Sequence, residues 1–280
     1  METQPEIHPT GFTIFARGFE FPEGPAFDRI GRLYLVNLRG GYLSRVNPDG
    51  RVEHFATTGG APNGSAFRPG SGDLYVADSG LNSILAIEPT GLVREVCGGY
   101  QGQKFQAPND LCFDRQGGLY FTDPPPVSDP RSIGRLFYLR PDGEPVLLDE
   151  GIAYSNGLAL DATGQTLYVA ETRTGHILRY NVVAPGQLGP REIFARLDPK
   201  PDGMALDTVG RLYVAVFGSG HIWVVGNDGV VVEKLPLPGQ GPTNLAFGGP
   251  DHRHLFVTEG PQGIVYRREI ATPGLRLTGE

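Results

Sequence analysis

Cysteine, lysine and tryptophan are nearly missing from this chain of 280 residues, which has two Cys, one Trp and only Lys104, Lys200 and Lys234 as lysines. With Cys97 and Cys112 both inside apolar, strand-like stretches, a disulfide-stapled scaffold is ruled out, and the pair reads as buried reduced thiols in a reducing compartment. No basic run occurs and the net charge is −7, which argues against a duplex-binding surface, because phosphate contacts dominate such affinity. No apolar run is long enough to cross a bilayer, and the N-terminus lacks the cationic start and apolar stretch of a signal peptide. The expectation is a cytoplasmic protein with no nucleic-acid, membrane or obligate protein partner.

Glycine and proline are abundant instead, 41 and 25 residues without low-complexity tracts. Many turns imply many short strands and disfavour a helix-rich fold. A chain of this length hides roughly 75% of its unfolded surface, so its core needs no structural metal and any metal present is expected to be functional.

One unit recurs six times: a Pro-x-Gly-like opening, an apolar strand, a glycine turn, Leu-Tyr-Val, a short loop and another apolar strand. The openings are Pro22-Glu23-Gly24, Pro62-Asn63-Gly64, Pro108-Asn109-Asp110, Ser155-Asn156-Gly157, Pro201-Asp202-Gly203 and Pro242-Thr243-Asn244. Their central residues, 23, 63, 109, 156, 202 and 243, are spaced by 40, 46, 47, 46 and 41, close to the period of a four-stranded propeller blade. Third strands end in Pro-Asp-Gly or Asn-Asp-Gly turns such as Pro48-Asp49-Gly50. The sixth unit is one strand short, and Phe12 to Ala16 ahead of the first unit has strand character. The reading is a single domain over 1–280, an all-β six-bladed β-propeller with four antiparallel strands per blade. An N-terminal strand closes the ring and removes its exposed edges.

Repeat phase turns spacing into geometry. Residues at the start of the inner strands encircle a central channel, and here they are Glu23, Asn63, Asn109, Asn156, Asp202 and Thr243, all oxygen-bearing. Turn chemistry explains Asn and Asp at such places. It does not explain two carboxylates converging on one channel mouth, where like charges repel unless a cation or proton intervenes. All-oxygen donors favour one divalent cation, Ca²⁺ first with Mn²⁺, Mg²⁺ and Zn²⁺ behind it. A second ring is expected one strand outward at Asn37, Asp78, Asp123, Glu171, Val216 and Glu259. Blade-to-blade hydrogen bonding accounts for single members, but Asp123 is singled out for substrate contact. Ten residues separate it from Gly134, and this longer loop, 124–133, is a candidate lid or pocket wall. His176 and His221 share a repeat position near the same face, so each is either a proton shuttle or inherited packing, and His221 is carried as a substrate contact.

These residues resemble the senescence-marker-protein, gluconolactonase and luciferin-regenerating-enzyme family of six-bladed propellers, from Phe21 to about Tyr266. The pieces that carry the resemblance are Phe21-Pro22-Glu23-Gly24-Pro25, Ala107-Pro108-Asn109-Asp110-Leu111, Phe121-Thr122-Asp123-Pro124-Pro125, Ser155-Asn156-Gly157-Leu158-Ala159 and Pro201-Asp202-Gly203-Met204-Ala205. The resemblance implies that Glu23, Asn156 and Asp202 ligate a divalent ion, usually calcium, that Asn109 completes or flanks the site, and that Asp202 doubles as general base. It implies lactone hydrolysis. Many sugar-lactone members carry Arg where this chain has Ala107, so a less polar lactone is compatible, with Tyr154 and Phe217 as apolar walls.

The expected chemistry is metal-dependent lactone hydrolysis, with Asp202 taking a proton from the attacking water and Asn109 orienting the carbonyl or the water. Three alternatives stand beside it. These are phosphotriester or aryl-ester hydrolysis at the same ion, a protein-binding propeller whose ion is structural, and a non-hydrolytic propeller resembling strictosidine synthase.

Overall fold

In the computed structural model, which describes residues 8–129, 131–198 and 200–276, six sheets make the ring, five of four strands and one, blade 4, of five, its third strand also pairing with the short Gln187–Leu188. The N-terminal segment ahead of His8, and Pro130 of the 124–133 loop, lie outside the described residues. From the inside outward, blade 1 is Pro22–Phe27, Leu33–Asn37, Tyr42–Val46 and Val52–Thr57, and blade 2 is Pro62–Phe67, Leu74–Asp78, Ser83–Ile87 and Val93–Cys97. Blade 3 is Leu111–Phe113, Leu119–Asp123, Gly134–Leu139 and Pro145–Ile152, and blade 4 is Ser155–Leu160, Thr166–Glu171, His176–Ala184 and Glu192–Arg196. Blade 5 is Pro201–Leu206, Leu212–Val216, His221–Val225 and Val231–Pro236. Blade 6 is Pro242–Gly248, His254–Glu259 and Ile264–Glu269, completed on the outside by Thr13–Arg17. The chain is thus a six-bladed β-propeller closed by its N-terminal strand, one residue later than expected. The described residues contain no helix.

The second strands of blades 1, 2, 3 and 5 are buried from end to end, and those of blades 4 and 6 nearly so, because each blade packs on both of its faces. Six apolar clusters fill the six gaps between neighbouring blades. In blades 1, 2 and 5 the aromatic of the Leu-Tyr-Val landmark has a specific partner, the Phe ending the next blade's inner strand. Tyr34 meets Phe67 edge-on at 5.2 Å, Tyr75 meets Phe113 at 5.1 Å, and Tyr213 meets Phe247 at 5.1 Å. Such pairs add about 0.5–1.5 kcal/mol beyond area burial.

Two details depart from expectation. The inner strand of blade 3 starts only at Leu111, after Pro108-Asn109-Asp110. A small hairpin, Gly99–Tyr100 with Gln103–Lys104, sits between blades 2 and 3. Both cysteines are free, as the sequence reading has them.

Candidate active site at the channel mouth

The inner strands do not enter the sheet smoothly. In five blades the pairing with the second strand shifts register across the opening, between Glu23 and Ala26, Pro62 and Ser65, Ser155 and Leu158, Pro201 and Met204, and Pro242 and Asn244. Bulges of this kind re-aim a side chain. They account for the polar residue of each opening facing the channel instead of alternating with its neighbours.

Glycine follows that residue in four blades, and close approach is the reason. A methyl on Gly157 would strike the backbone of Asp202 and Gly203, and one on Gly203 would strike Asn244. Blades 3 and 6, opposite one another, carry Asp110 and Asn244 at this position instead. The Asn244 amide donates to Asp110 Oδ2 at 3.4 Å, so the two side chains meet across the channel as a floor beneath the mouth. Hydroxyls stitch the ring together: Ser65 Oγ donates to Gly24 O at 2.6 Å, Thr122 Oγ1 to Asn156 O at 2.7 Å, and Thr243 Oγ1 to Pro22 O at 2.9 Å.

Three carboxyls converge at this mouth. Burial pushes Glu23 well above the usual carboxylate range, and the charges of Asp202 and Asp110 push it further. Burial also raises Asp202, followed by the charge of Asp110, against a hydrogen bond from the Asn156 side chain. Asp110 is pushed up to about 6, chiefly by burial. Among the described residues no Lys, Arg or His pairs with any of the three. Asp202 is partly open at the mouth, whereas Glu23, Asn109 and Asn156 are buried.

This donor set fits a hard divalent cation. Carboxylates of Glu23 and Asp202 with the amide oxygens of Asn109 and Asn156 are oxygen donors only, and the two carboxyls are raised first by burial and then by neighbouring carboxylate charge. No cluster of three or more His, Cys, Asp or Glu side chains set to hold a metal occurs among the described residues. The expected set, with two carboxylates and two amides, does not require one. Asp110 is the residue that sequence reasoning missed, although its failure to be glycine at a glycine position was a visible signal.

The other expected site residues divide. Tyr154 stands over the mouth, its phenol pushed up to about 12 by burial and then by the Asp202 charge. Phe217 lies on the rim beside Gly241. Thr243 is fully buried and spends its hydroxyl on blade stitching. Asp123, expected to meet substrate, is fully buried. One oxygen accepts the amides of Gln106 and Ala107 at 2.8 and 2.9 Å, and the other pairs with Arg135 at 2.5 Å. It therefore has no oxygen to offer a substrate. The same tether recurs in the second ring, where Asn37 accepts from Glu20 N, Asp78 from Ala61 N, Glu171 from Ala153 N and Glu259 from Gly241 N. His221 bonds the carbonyl of Ser219 in its own turn at 2.6 Å, and His176 lies between Glu171 and Arg196. Neither histidine contacts the inner ring, so inherited packing explains both.

Comparison with known proteins identifies the family of the fold. Residues 21–260 match the SMP-30/gluconolactonase/LRE-like region. The chain is 30% identical over 273 residues to the gluconolactonase of Zymomonas mobilis, covering 85% of this chain and 76% of that one. It is 29% identical over 296 residues to the diisopropyl-fluorophosphatase of Loligo vulgaris, covering 95% and 93%. The solved gluconolactonase of Xanthomonas campestris superposes with a TM-score of 0.83 at 27% identity, over 94% of this chain and 89% of that one.

Proposed function

This chain belongs to the SMP-30/gluconolactonase/LRE-like family, and we propose that it is a cation-dependent lactonase acting at the Glu23, Asn109, Asn156 and Asp202 mouth. The observation that carries the reading is the convergence of buried carboxyls with no cationic partner at an open channel mouth. Similarity to gluconolactonases supplies the substrate class.

Glu23, Asn156, Asp202 and Asn109 would hold the cation. Such an ion supplies Lewis acidity at the lactone carbonyl when bound. The protein's own part is positional. Asn156 hydrogen-bonds the Asp202 carboxyl and fixes its direction, and Asp202 takes the proton of the attacking water as the tetrahedral centre forms. Asn109 orients the carbonyl or the water. Tyr154 and Phe217 exclude bulk water and wall the ring of the substrate. The second ring takes no direct part but ties the chain ahead of each inner strand, holding the donors in place.

The test begins with protein stripped by a chelator and checked by circular dichroism. Acid release is then followed on sugar, aliphatic and aromatic lactones as Ca²⁺, Mn²⁺, Mg²⁺ or Zn²⁺ is returned. Cation-restored acid release is the expected result; folded, cation-loaded protein that opens no lactone would overturn the reading. Near full-length similarity to a fluorophosphatase favours a second reading, phosphotriester hydrolysis at the same mouth, and a phosphotriester in the panel decides it.

A further inference from the structure

The mouth is acidic at its centre, but its rim carries cations at particular phases of the repeat. Just before the opening, blades 1 and 4 have an aromatic residue, Phe21 and Tyr154. Two residues beyond the second-ring position the same two blades have Arg39 and Arg173. These blades face one another across the channel, and their local structures coincide. Phe21 and Tyr154 both adopt left-handed backbone, φ 63° and 68°, a conformation that bulky residues rarely take. Leu38 N donates to Phe21 O and Thr172 N to Tyr154 O, both at 3.1 Å. The guanidinium of each arginine then lies over its aromatic ring, 4.5 Å from the centroid for Arg39 and 5.3 Å for Arg173.

The two arginines differ in what they have left to give. Arg173 donates to the carbonyls of Ser132 at 2.9 Å and Asp129 at 2.8 Å, so its donors hold the loop of blade 3. Arg39 is exposed and makes no side-chain hydrogen bond or ion pair with any described residue, and its acidic neighbour Glu20 is turned toward the Tyr42 hydroxyl. In blade 5 the position before the opening is Lys200, also exposed and unpaired among the described residues. Blades 5 and 1 flank blade 6, whose rim residues are Gly241 and Gly260. The Phe21 ring covers Gly260, and Pro261 with the Phe217 ring covers Gly241, so both glycines are buried and the rim of blade 6 is faced by the two aromatic rings, with Arg39 stacked on the first of them.

We propose that the substrate is a lactone carrying an anionic substituent, a carboxylate, sulfonate or phosphate, and that Arg39, stacked on Phe21 at the rim, reads it. This rests on the lactonase reading for the reacting end of the molecule. A guanidinium stacked on an aromatic face keeps its N–H edge free for paired hydrogen bonds to an oxyanion.

Two measurements on intact, cation-loaded enzyme separate the proposals. The first compares kcat/KM for lactones of one ring size bearing a hydroxymethyl, carboxylate, sulfonate or phosphate group. The second measures calorimetric binding of the corresponding cyclic ethers, which cannot be hydrolysed. Wild type should prefer an anionic member by about tenfold or more at low ionic strength, in hydrolysis through KM and equally in binding. Arg39→Gln should reduce that ratio toward one, Arg39→Glu should invert it, and Arg39→Lys should restore part of it. A ratio near one in wild type that Arg39→Glu does not move overturns the anion proposal, while acid release leaves the lactonase reading standing. Arg39-dependent ether binding without acid release from any lactone does the reverse.

Discussion

In front of the Asp110–Asn244 floor, the inner strands turn carboxylates and amides toward one another. Behind it the same strands present Ala26, Ala66, Leu158, Met204 and Leu245 around an apolar cavity of about 130 Å³. The front is set by a bulge and a glycine in most blades, which override strand alternation. The back follows ordinary alternation, and its side chains belong to the packing between blades. The apolar cavity and the polar mouth therefore lie on opposite sides of one hydrogen bond.

That division can be broken first at Asp202. Asp202→Asn should lower kcat by ~10²–10⁴ with an unchanged circular dichroism spectrum, since general-base assistance typically contributes that much. Turnover near wild type would move the chemistry elsewhere. On the back wall the balance should reverse: Leu158→Ala removes a buried side chain between blades 3 and 4 and should lower urea stability by about 2–5 kcal/mol. Its kcat and KM should stay near wild type, and a collapse of kcat would show that the two halves are coupled.

A subtler contrast lies in pH. Glu23, Asp110 and Asp202 all have folded pKa values above those of the unfolded chain. Their contribution to stability is fully present below the ordinary carboxylate range and is lost as pH rises through about 6 for Asp110 and about 8 for Asp202, with Glu23 displaced in the same direction. Binding a divalent cation removes that loss. The gap in urea midpoint between Ca²⁺-loaded and chelated protein should therefore widen from pH 5 to pH 8, and a constant gap would deny the carboxyls their place. The smallest effect is expected from Asp110→Asn, which removes one repelling charge. It should stabilise the chelated protein near pH 8 by about 1 kcal/mol, because a shift of one pKa unit corresponds to roughly 1.4 kcal/mol.

Much of this was legible in residue order. Six spaced openings, Leu-Tyr-Val landmarks and one missing strand lead directly to the closed propeller, because each is a local signal repeated in register. Glu23, Asn109, Asn156 and Asp202 are legible for the same reason, sharing a phase that the fold converts into proximity. Asp123 and His221 also share phases, yet phase carries no information on whether a side chain is already occupied. Asp123 is satisfied by two amides and Arg135, and His221 by its own turn. Asp110 was hidden for the opposite reason: it departs from the repeat, and only the neighbouring blades show that a glycine position has been given to a charge. The aromatic–arginine pairs needed the backbone, since nothing in the residues announces left-handed conformation at Phe21 and Tyr154.

The strand Thr13–Arg17 also governs how the molecule is made. Thr13 pairs with Arg267 and is separated from it by 254 positions, so the outer strand of blade 6 comes from a segment far from the rest of that blade in the chain. Five blades can assemble from contacts within and between neighbours, each closing a short loop. The sixth must join chain segments from opposite ends, and the entropy of that closure is met late, with little compensation until the final gap between blades 6 and 1 is packed. The ring thus has a seam, and it lies between blades 6 and 1, beside the strand that carries Glu23 to the channel.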